Sequence, residues 1–362
     1  MHPKKLLFLA AFLPVASYAQ DLAFGKRLVD TLTSPAFWGR GYTNDGMEKA
    51  AGFLATQFES YGLKPMGGKS FLQPFTYPVN VFPGKMDLRI NGRDLVPGKD
   101  FIVSPESRGV RGKGPLERID SVQFMNPGSR FVVKLVDKLT WSVAPKAEDY
   151  TVVEVDKKAI DGMPESFSAQ IENKSVAAFR ASNVCAVVPG TARPDSILLV
   201  TAHYDHLGGM GAATYFPGAN DNASGVSLLL NLARYYATHP QRYTIGFILF
   251  AGEEAGLIGS NYFTEHPLVP LRNVRFLTNT DLAGTGEEGI TVVNATEYPK
   301  EFAVMQAINA KQHLLAAVNA RGKAANSDHY FFSEKGVPAF FFYTLGGIKA
   351  YHDVFDRAAT LP

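Results

Sequence analysis

Five side chains in the second half of the sequence are of the types that bind divalent metal ions. They are His203, Asp221, Glu254, Asp281 and His352. Imidazole and carboxylate ligands without cysteine favour zinc, with manganese or cobalt as alternatives. Three of the five follow apolar runs typical of buried strands. Because the carboxyl ends of parallel strands meet at one edge of a sheet, we expect these side chains to converge into a two-metal site.

Asp205 stands two residues after His203, with Tyr204 between them. Side chains alternate along extended backbone, so His203 and Asp205 are expected to point the same way. Asp205 would then accept the other ring N–H of His203 and fix its tautomer. An isolated His-x-Asp is more often a surface pair. The preceding apolar run and the following Gly208-Gly209 favour a site here.

Asp221 lies in Gly-Ala-Asn-Asp-Asn-Ala-Ser-Gly, just before a predicted helix. Taken alone, it is better explained as a helix N-cap, since Asp is a preferred cap residue. However, Asn220 and Asn222 can cap equally well, and small residues surround the carboxylate as if something bulky must approach. This turn therefore predicts a carboxylate that bridges two cations.

Glu253 and Glu254 are adjacent acids that follow the apolar run Ile-Gly-Phe-Ile-Leu-Phe. Two such carboxylates repel each other unless positive charge lies between them. Adjacent side chains diverge on extended backbone, so one can bind metal while the other reaches the attacking water. The pair predicts Glu254 as a ligand and Glu253 as general base and then acid. The alternative, a solvated acidic loop, fits poorly after an apolar strand.

Predicted strands and helices alternate through the regions that carry these residues. The strands cover Ile197–Ala202, Thr244–Phe250, Val274–Leu277 and Pro338–Tyr343. The helices cover Met47–Tyr61, Ala223–Ala237, Gly256–Glu265, Glu301–His313 and Tyr330–Lys335. Apolar strands separated by helices predict an α/β fold with a mostly parallel central sheet flanked by helices.

Residues 82–164 differ in sequence pattern from the alternating strands and helices of the rest of the chain. Gly-Lys, Asn-Gly and Pro-Gly turns separate short β-like runs such as Met86–Ile90, and no pair of ligand-type residues stands at a useful spacing. This stretch is predicted to be a small inserted β-rich subdomain. The main domain is then discontinuous, formed by residues 20–81 and 165–362.

The first nineteen residues predict a secretory signal peptide. Lys4 and Lys5 precede an apolar run, Leu6–Val15, and small residues precede a cleavage site after Ala19. About ten apolar residues cannot cross a bilayer, so no membrane anchor is expected. The predicted location is therefore periplasmic or extracellular.

The charge balance argues against two classes of partner. Removing Lys4 and Lys5 from the 36 basic residues leaves 34, which equals the 34 acidic residues. A near-neutral chain gives no electrostatic reason to bind nucleic acid or anionic membranes. The single cysteine, Cys185, lies in an apolar run and is predicted to be a buried packing residue.

The combined motifs resemble the co-catalytic zinc exopeptidases of the transferrin-receptor-like superfamily, which include bacterial secreted aminopeptidases and glutamate carboxypeptidase. The motifs are His-Tyr-Asp-His-Leu-Gly, Gly-Ala-Asn-Asp-Asn-Ala-Ser-Gly, Gly-Glu-Glu-x-Gly-Leu-x-Gly-Ser, Asn-x-Asp, Ser-Asp-His and Tyr-His. They occur in family order over Ala177–His352, and Gly-Arg-Gly at position 39 resembles the start of the family's first helix. The fold implied is the phosphorylase/hydrolase-like fold of zinc exopeptidases.

The resemblance implies two zinc ions per chain and a role for each site residue: His203 and Asp281 on one zinc, Glu254 and His352 on the other, Asp221 bridging them and Glu253 as base. It implies a secreted aminopeptidase that acts on peptides, and a protease-associated-like insertion. Two alternatives share the fold: a one-zinc transferase of the glutaminyl cyclase type, and a catalytically silent binding module.

The sequence departs from the family pattern around two features of the site. After Tyr351-His352 the family usually has Thr-Pro, whereas this chain has Asp353-Val354. The Tyr that donates to the oxyanion in some relatives is absent, which leaves Tyr330 and His329 as candidates. His206 and His313 are predicted to be a loop residue and a helix-surface residue without a role.

Overall fold

The computed structural model describes residues 21–362. The predicted signal peptide, residues 1–19, lies outside these described residues. Within them, the α-helices are α1 (Leu22–Leu32), α2 (Gly46–Ser60), α3 (Gly225–Thr238), α4 (Ile258–Glu265), α5 (Pro299–Gln312) and α6 (His329–Glu334). No helix in this part of the chain is long and apolar enough to cross a membrane.

The strands fall into three groups along the chain. The first two are β1 (Lys64–Pro65) and β2 (Leu72–Val81). The next group is β3 (Met86–Ile90), β4 (Arg93–Leu95), β5 (Phe101–Val103), β6 (Val110–Pro115), β7 (Glu117–Arg118), β8 (Gln123–Asn126), β9 (Phe131–Val136), β10 (Thr151–Asp156) and β11 (Ser166–Ile171). The last group is β12 (Lys174–Val188), β13 (Arg193–His203), β14 (Gly209–Met210), β15 (Thr214–Tyr215), β16 (Tyr243–Phe250), β17 (Val274–Thr280), β18 (Gly289–Val293), β19 (Val318–Ala320) and β20 (Ala339–Leu345).

The first and last groups, apart from β14 and β15, build a nine-stranded sheet in the order β1-β12-β16-β13-β17-β20-β18-β19, with β2 paired to β12. Strands β14 and β15 pair with each other. Its centre, β16-β13-β17-β20, is parallel throughout. The outer strands β12 and β18 pair with this centre antiparallel. The α/β fold with a mostly parallel central sheet is therefore confirmed.

Alternating side chains cover both faces of this sheet. In β16, Phe247 and Leu249 join the apolar core that contains buried residues of α1, α2 and α3. Their neighbours Ile248 and Phe250 join the core under α4 and α6 on the other face. Cys185 lies in that second core, fully buried and unpaired, as its apolar run predicts. A continuous apolar run is thus what a strand covered on both faces requires.

The predicted helices and strands match the structure to within a few residues, with one helix missed. Helix α2 buries Ala50, Leu54 and Phe58 at helical spacing, and ends before Gly62, whose φ is 80°. Helix α1 was not predicted, although its buried residues Gly25, Leu28, Val29 and Leu32 stand at helical spacing in the sequence. Its N-cap is Asp21, which accepts from Phe24 N–H at 2.9 Å.

The middle group of strands, residues 86–171, forms what is called the inserted region below. It contains a five-stranded sheet, β5-β10-β9-β8-β7, and a four-stranded sheet, β4-β3-β11-β6. Its core also takes in Leu207, Met210, Phe216 and Val354 from the main sheet's loops. Strand β11 pairs with β3 and β6 although it lies past residue 164. The division of the chain into two domains stays a prediction.

Candidate metal centre

The parallel strands carry the predicted site residues to one edge of the sheet. His203 is the last residue of β13 and pairs with Phe250, the last residue of β16. Asp281 directly follows β17, and the Glu253-Glu254 pair lies in the loop after β16. The strands end in register, so their first loop residues must meet.

His203 and Asp281 form what we call the sheet corner of the site. His203 Nε2 lies 3.2 Å from Asp281 Oδ1 and 3.3 Å from Asp221 Oδ1. The other oxygen of Asp281 accepts a hydrogen bond from the Ser327 hydroxyl at 3.1 Å. Asn279, in turn, donates to Ser327 at 2.8 Å. The sheet corner is thus held by a side-chain network anchored on β17.

Glu254 and His352 form the loop corner. His352 Nε2 lies 3.1 Å from Glu254 Oε2 and 3.1 Å from Asp221 Oδ2. Each oxygen of Asp221 therefore faces one imidazole, Oδ1 toward His203 and Oδ2 toward His352. A single carboxylate placed between two histidines in this way joins the two corners.

The hydrogen bonds of the two imidazoles show that the donor set fits metal ions. His203 Nδ1 lies 3.2 Å from the Asp205 carbonyl, and His352 Nδ1 lies 2.9 Å from the Trp141 carbonyl. A carbonyl only accepts, so Nδ1 carries a hydrogen in both rings, and Nε2 is the nitrogen that each ring turns toward the carboxylates. A buried cluster of carboxylates around these nitrogens needs positive charge at its centre. Nitrogen and oxygen ligands without sulfur suit zinc.

Electrostatics separate the two adjacent glutamates. Burial raises the pKa of Glu253 well above its usual value, and the carboxylates of Asp281 and Glu254 add to this against the effect of His203. For Glu254, burial and Asp221 favour the neutral form. Its histidine neighbours outweigh them and lower its pKa to about 2. Glu254 is thus set up as an anionic ligand, whereas Glu253 can hold a proton.

The expected bond between Asp205 and the ring of His203 is wrong in detail. The nearest carboxylate oxygen of Asp205 lies 3.8 Å from His203 Nδ1, which contacts the Asp205 carbonyl instead. The carboxylate lies nearest the backbone N–H groups of Glu253, at 3.2 Å, and Glu254, at 3.4 Å. The strand ends at His203, so the alternation that predicted the contact does not continue to Asp205. Asp205 instead shapes the glutamate loop.

The turn that carries Asp221 is held from behind by Arg40. This fully buried guanidinium donates to five backbone carbonyls, those of Leu32, Tyr204, Pro217, Gly218 and Asp221. Asp356 accepts the backbone N–H groups of Asn220 and Asp221. Nothing in the predicted site residues pointed to Arg40. Its only signal was the Gly-Arg-Gly motif that resembles the family's first helix.

The small residues around Asp221 have a different purpose from the one predicted. A Cβ on Gly218 would collide with the His206 ring, and Gly218 has a φ of 60°. The turn is therefore small because it folds tightly on its surroundings. Asn222 accepts from Gly225 N–H at the start of α3, which leaves the Asp221 carboxylate free, as expected.

His206 lies in a loop, as predicted, but it makes a contact with the site that the sequence did not indicate. It is fully buried, and its Nδ1 lies 2.6 Å from Glu254 Oε1. His206 therefore holds one oxygen of Glu254 while Oε2 faces His352. His313 has no such contact and follows the end of α5, as predicted. His329 is buried against Phe341, so it belongs to the core beside the site.

Comparison with known proteins agrees with this geometry. The model of peptidase family M28 matches residues 183–362. The chain is 28% identical over 190 residues to aminopeptidase YwaD of Bacillus subtilis, covering 51% of this chain and 40% of that protein. It is 31% identical over 172 residues to a "probable zinc metalloprotease" of Leptosphaeria maculans, covering 45% and 40%. The match thus spans about two fifths of the length of these curated relatives.

Solved structures share the fold over nearly the whole chain. A zinc aminopeptidase from Bacillus subtilis superposes with a TM-score of 0.68 at 19% identity, covering 94% of this chain and 90% of that one. A peptidase M28 precursor from Shewanella amazonensis gives a TM-score of 0.69 at 16% identity, covering 95% and 90%. At these identities the likeness establishes the fold alone.

Proposed function

We propose, from the premise that this chain belongs to peptidase family M28 through residues 183–362, that it is a two-zinc exopeptidase acting as an aminopeptidase on peptides. The observation that carries the proposal is Asp221, whose two oxygens face His203 and His352 at 3.3 and 3.1 Å. Relatives described as zinc aminopeptidases support the metal and the activity.

The two corners divide the ligands between two ions. His203 and Asp281 would hold one zinc, Glu254 and His352 the other, and Asp221 would bridge them. When bound, the two ions polarise the scissile carbonyl and acidify water at the site. The contact from His206 keeps Oε1 of Glu254 occupied, so Glu254 offers Oε2 to the loop corner.

Glu253 is the residue proposed to move the proton. Its carboxylate can lie within 4.8 Å of the ligand atoms of His203 and Asp281, at the sheet corner. A raised pKa suits a group that must take a proton from the attacking water and pass it to the leaving amine. The Asp205 carboxylate accepts from the backbone N–H groups of Glu253 and Glu254. It therefore positions the backbone that carries the Glu253 side chain.

The choice of an aminopeptidase over a carboxypeptidase rests on the relatives, among them aminopeptidase YwaD. An aminopeptidase must accept the ammonium group of a free peptide N-terminus. Buried carboxylates such as Asp221 and Asp281 make the site suited to a substrate with that positive charge.

Export is part of the same proposal. The apolar run Leu6–Val15, with Lys4 and Lys5 before it and Ala19 at the predicted cleavage position, supports secretion to the periplasm or outside the cell. Measuring the mass of the protein recovered from the periplasm or medium tests this, since cleavage after Ala19 gives a mature N-terminus at Gln20. Uncleaved protein retained in the cytoplasm would contradict it.

The activity is tested with aminoacyl 4-nitroanilides, their N-acetylated forms and N-terminal glutaminyl peptides, with zinc quantified in the same samples. We expect two zinc ions per chain and hydrolysis that requires the free amine. Glu253→Gln should keep both ions and lose turnover by about 10²- to 10⁴-fold. Its matched control, Glu265→Gln at the exposed end of α4, should behave as wild type.

Three outcomes would overturn the proposal in different ways. One zinc with cyclisation of the glutaminyl peptides would indicate a cyclase. Two zinc ions without turnover of any substrate would indicate a silent binding module. Undiminished turnover by Glu253→Gln would show that another group is the base.

A further inference from the structure

The inserted region reaches the loop corner through a reciprocal pair of hydrogen bonds. The Trp141 N–H donates to the His352 carbonyl at 2.9 Å. In return, His352 Nδ1 lies 2.9 Å from the Trp141 carbonyl and donates to it. The backbone of Trp141 therefore makes hydrogen bonds with both the backbone and the ring of His352. The ring contact fixes which nitrogen of His352 faces Glu254 and Asp221.

Trp141 is itself fixed within the core of the inserted region. Its indole N–H donates to the Val103 carbonyl of β5 at 2.7 Å. Its ring stacks on Phe216 with centroids 4.6 Å apart and planes at 23°. Only 4% of the residue is exposed. The hydrogen bond from the indole N–H to β5 fixes the ring of Trp141. The buried ring in turn fixes the backbone of this residue.

The chain around His352 is held by individual contacts and not by regular secondary structure. No helix or strand lies between Leu345, the end of β20, and the short 3₁₀ turn at Ala358. His352 has a φ of 53°, a left-handed conformation that is uncommon for non-glycine residues. The residues on either side also contact the inserted region. Lys138 lies 3.9 Å from the Asp353 carboxylate and donates to the Lys349 carbonyl at 3.1 Å.

The other imidazole of the site is oriented quite differently. His203 ends a central strand, and its Nδ1 contacts the carbonyl of Asp205, two residues further along the same chain. Its orientation is therefore local to the main sheet. His352 depends on a carbonyl 211 residues away in sequence. A hydrogen-bond partner on the distal nitrogen controls the tautomer and direction of a ligand imidazole.

We infer that Trp141 of the inserted region is a positioning residue for His352, so that this region completes the loop corner and tunes its metal affinity. The inference rests on the proposed function, because it takes His352 to be a metal ligand. It gives the inserted region a role in building the site, in addition to any contact with substrate. By linkage, metal held at the loop corner must also stabilise the contact with Trp141.

The test compares zinc binding to wild type, Trp141→Ala, Trp141→Phe and a matched control, Phe131→Ala. Phe131 is fully buried in the same core and stacks on Phe167 with centroids 4.3 Å apart, as Trp141 stacks on Phe216. Phe167 lies in β11 of the inserted region, so this stack does not involve the loops of the site. Trp141→Phe keeps a stacking ring and removes the indole N–H that donates to Val103.

We expect Trp141→Ala to weaken the binding of one zinc ion by about 10- to 100-fold and to leave the affinity for the other ion unchanged. Trp141→Phe should recover most of that affinity, and Phe131→Ala should bind both ions as wild type does. Calorimetric titration of the metal-free proteins measures this without relying on turnover. A wild type that fails to bind two ions would overturn the proposed function, and this inference with it.

Equal affinities in Trp141→Ala and wild type would overturn the inference while leaving the proposed function intact. An equal loss in Phe131→Ala would also overturn it, because the effect would then come from general loosening of the inserted region. If Trp141→Ala does not fold, hydrogen exchange of the wild-type protein with and without zinc tests the inference instead. Zinc should slow exchange of the Trp141 amide, and an unchanged rate would overturn the inference.

Discussion

The two corners of the site are built by different means. The sheet corner takes His203 and Asp281 from the ends of adjacent parallel strands, whose register is set by a core buried on both faces. The loop corner takes Glu254 and His352 from loops that are held by His206 and by Trp141 of the inserted region. One corner is thus a direct product of the sheet. The other depends on contacts between distant segments.

This difference has a consequence for how each corner responds to change. A ligand at a strand end is fixed by backbone that belongs to the most buried part of the protein. A ligand in a loop is fixed by individual side chains, so a single substitution can displace it. We therefore expect the loop corner to be the more easily weakened of the two.

The largest effect is expected where the corners meet. Asp221→Asn removes the negative charge between His203 and His352, so neither zinc should remain bound after dialysis and hydrolysis should be lost. Metal content by mass spectrometry checks this. The control variant Asp161→Asn, at an exposed position, should retain both ions. Retention of two ions by Asp221→Asn would show that the corners do not share this ligand.

Removing Arg40 should destabilise the fold as well as the site. Arg40→Met removes a donor from each of five buried carbonyls, and we expect the free energy of unfolding to fall by about 3 kcal/mol or more. Urea denaturation measures the change. Arg89→Met is the control, since its ion pair with Asp94 is exposed and should contribute less than about 1 kcal/mol. Similar losses in both variants would contradict this role for Arg40.

A substitution at His206 should act on the loop corner alone. His206→Leu removes the contact to Glu254 Oε1, which frees Glu254 to turn away from His352. We expect one zinc to bind about 100-fold more weakly. Calorimetric titration resolves the two ions, and a loss shared equally between them would break the distinction between the corners.

The smallest effect is expected at the sheet corner. Ser327→Ala removes the hydroxyl that donates to Asp281 Oδ2, but the Asp281 backbone still donates to the Phe342 carbonyl at 3.1 Å. We expect the zinc at this corner to bind about 10-fold more weakly. The same titration measures this loss. A larger loss here than in His206→Leu would reverse the proposed order of robustness.

The same contrast explains what the sequence could predict. The central strands, most of the helices and the convergence of His203, Glu254 and Asp281 follow from apolar runs that end in polar residues. His352 follows from no such run, and it was assigned through the Tyr-His motif of the family it resembles.

Contacts between distant segments were the part that the sequence did not predict. The carbonyl of Trp141, the guanidinium of Arg40 and the imidazole of His206 act through positions set by tertiary packing. No local periodicity encodes such positions. The error at Asp205 has the same origin, because the strand ends two residues before it and the expected alternation stops there.

The central claim is that two ions are held in two corners joined by Asp221. Anomalous diffraction at the zinc edge, from crystals of the zinc-loaded protein, tests it most directly. The account predicts two peaks about 3.5–4 Å apart, one between His203 and Asp281 and one between His352 and Glu254, with Asp221 contacting both. A single peak, or a second peak away from His352, would contradict it.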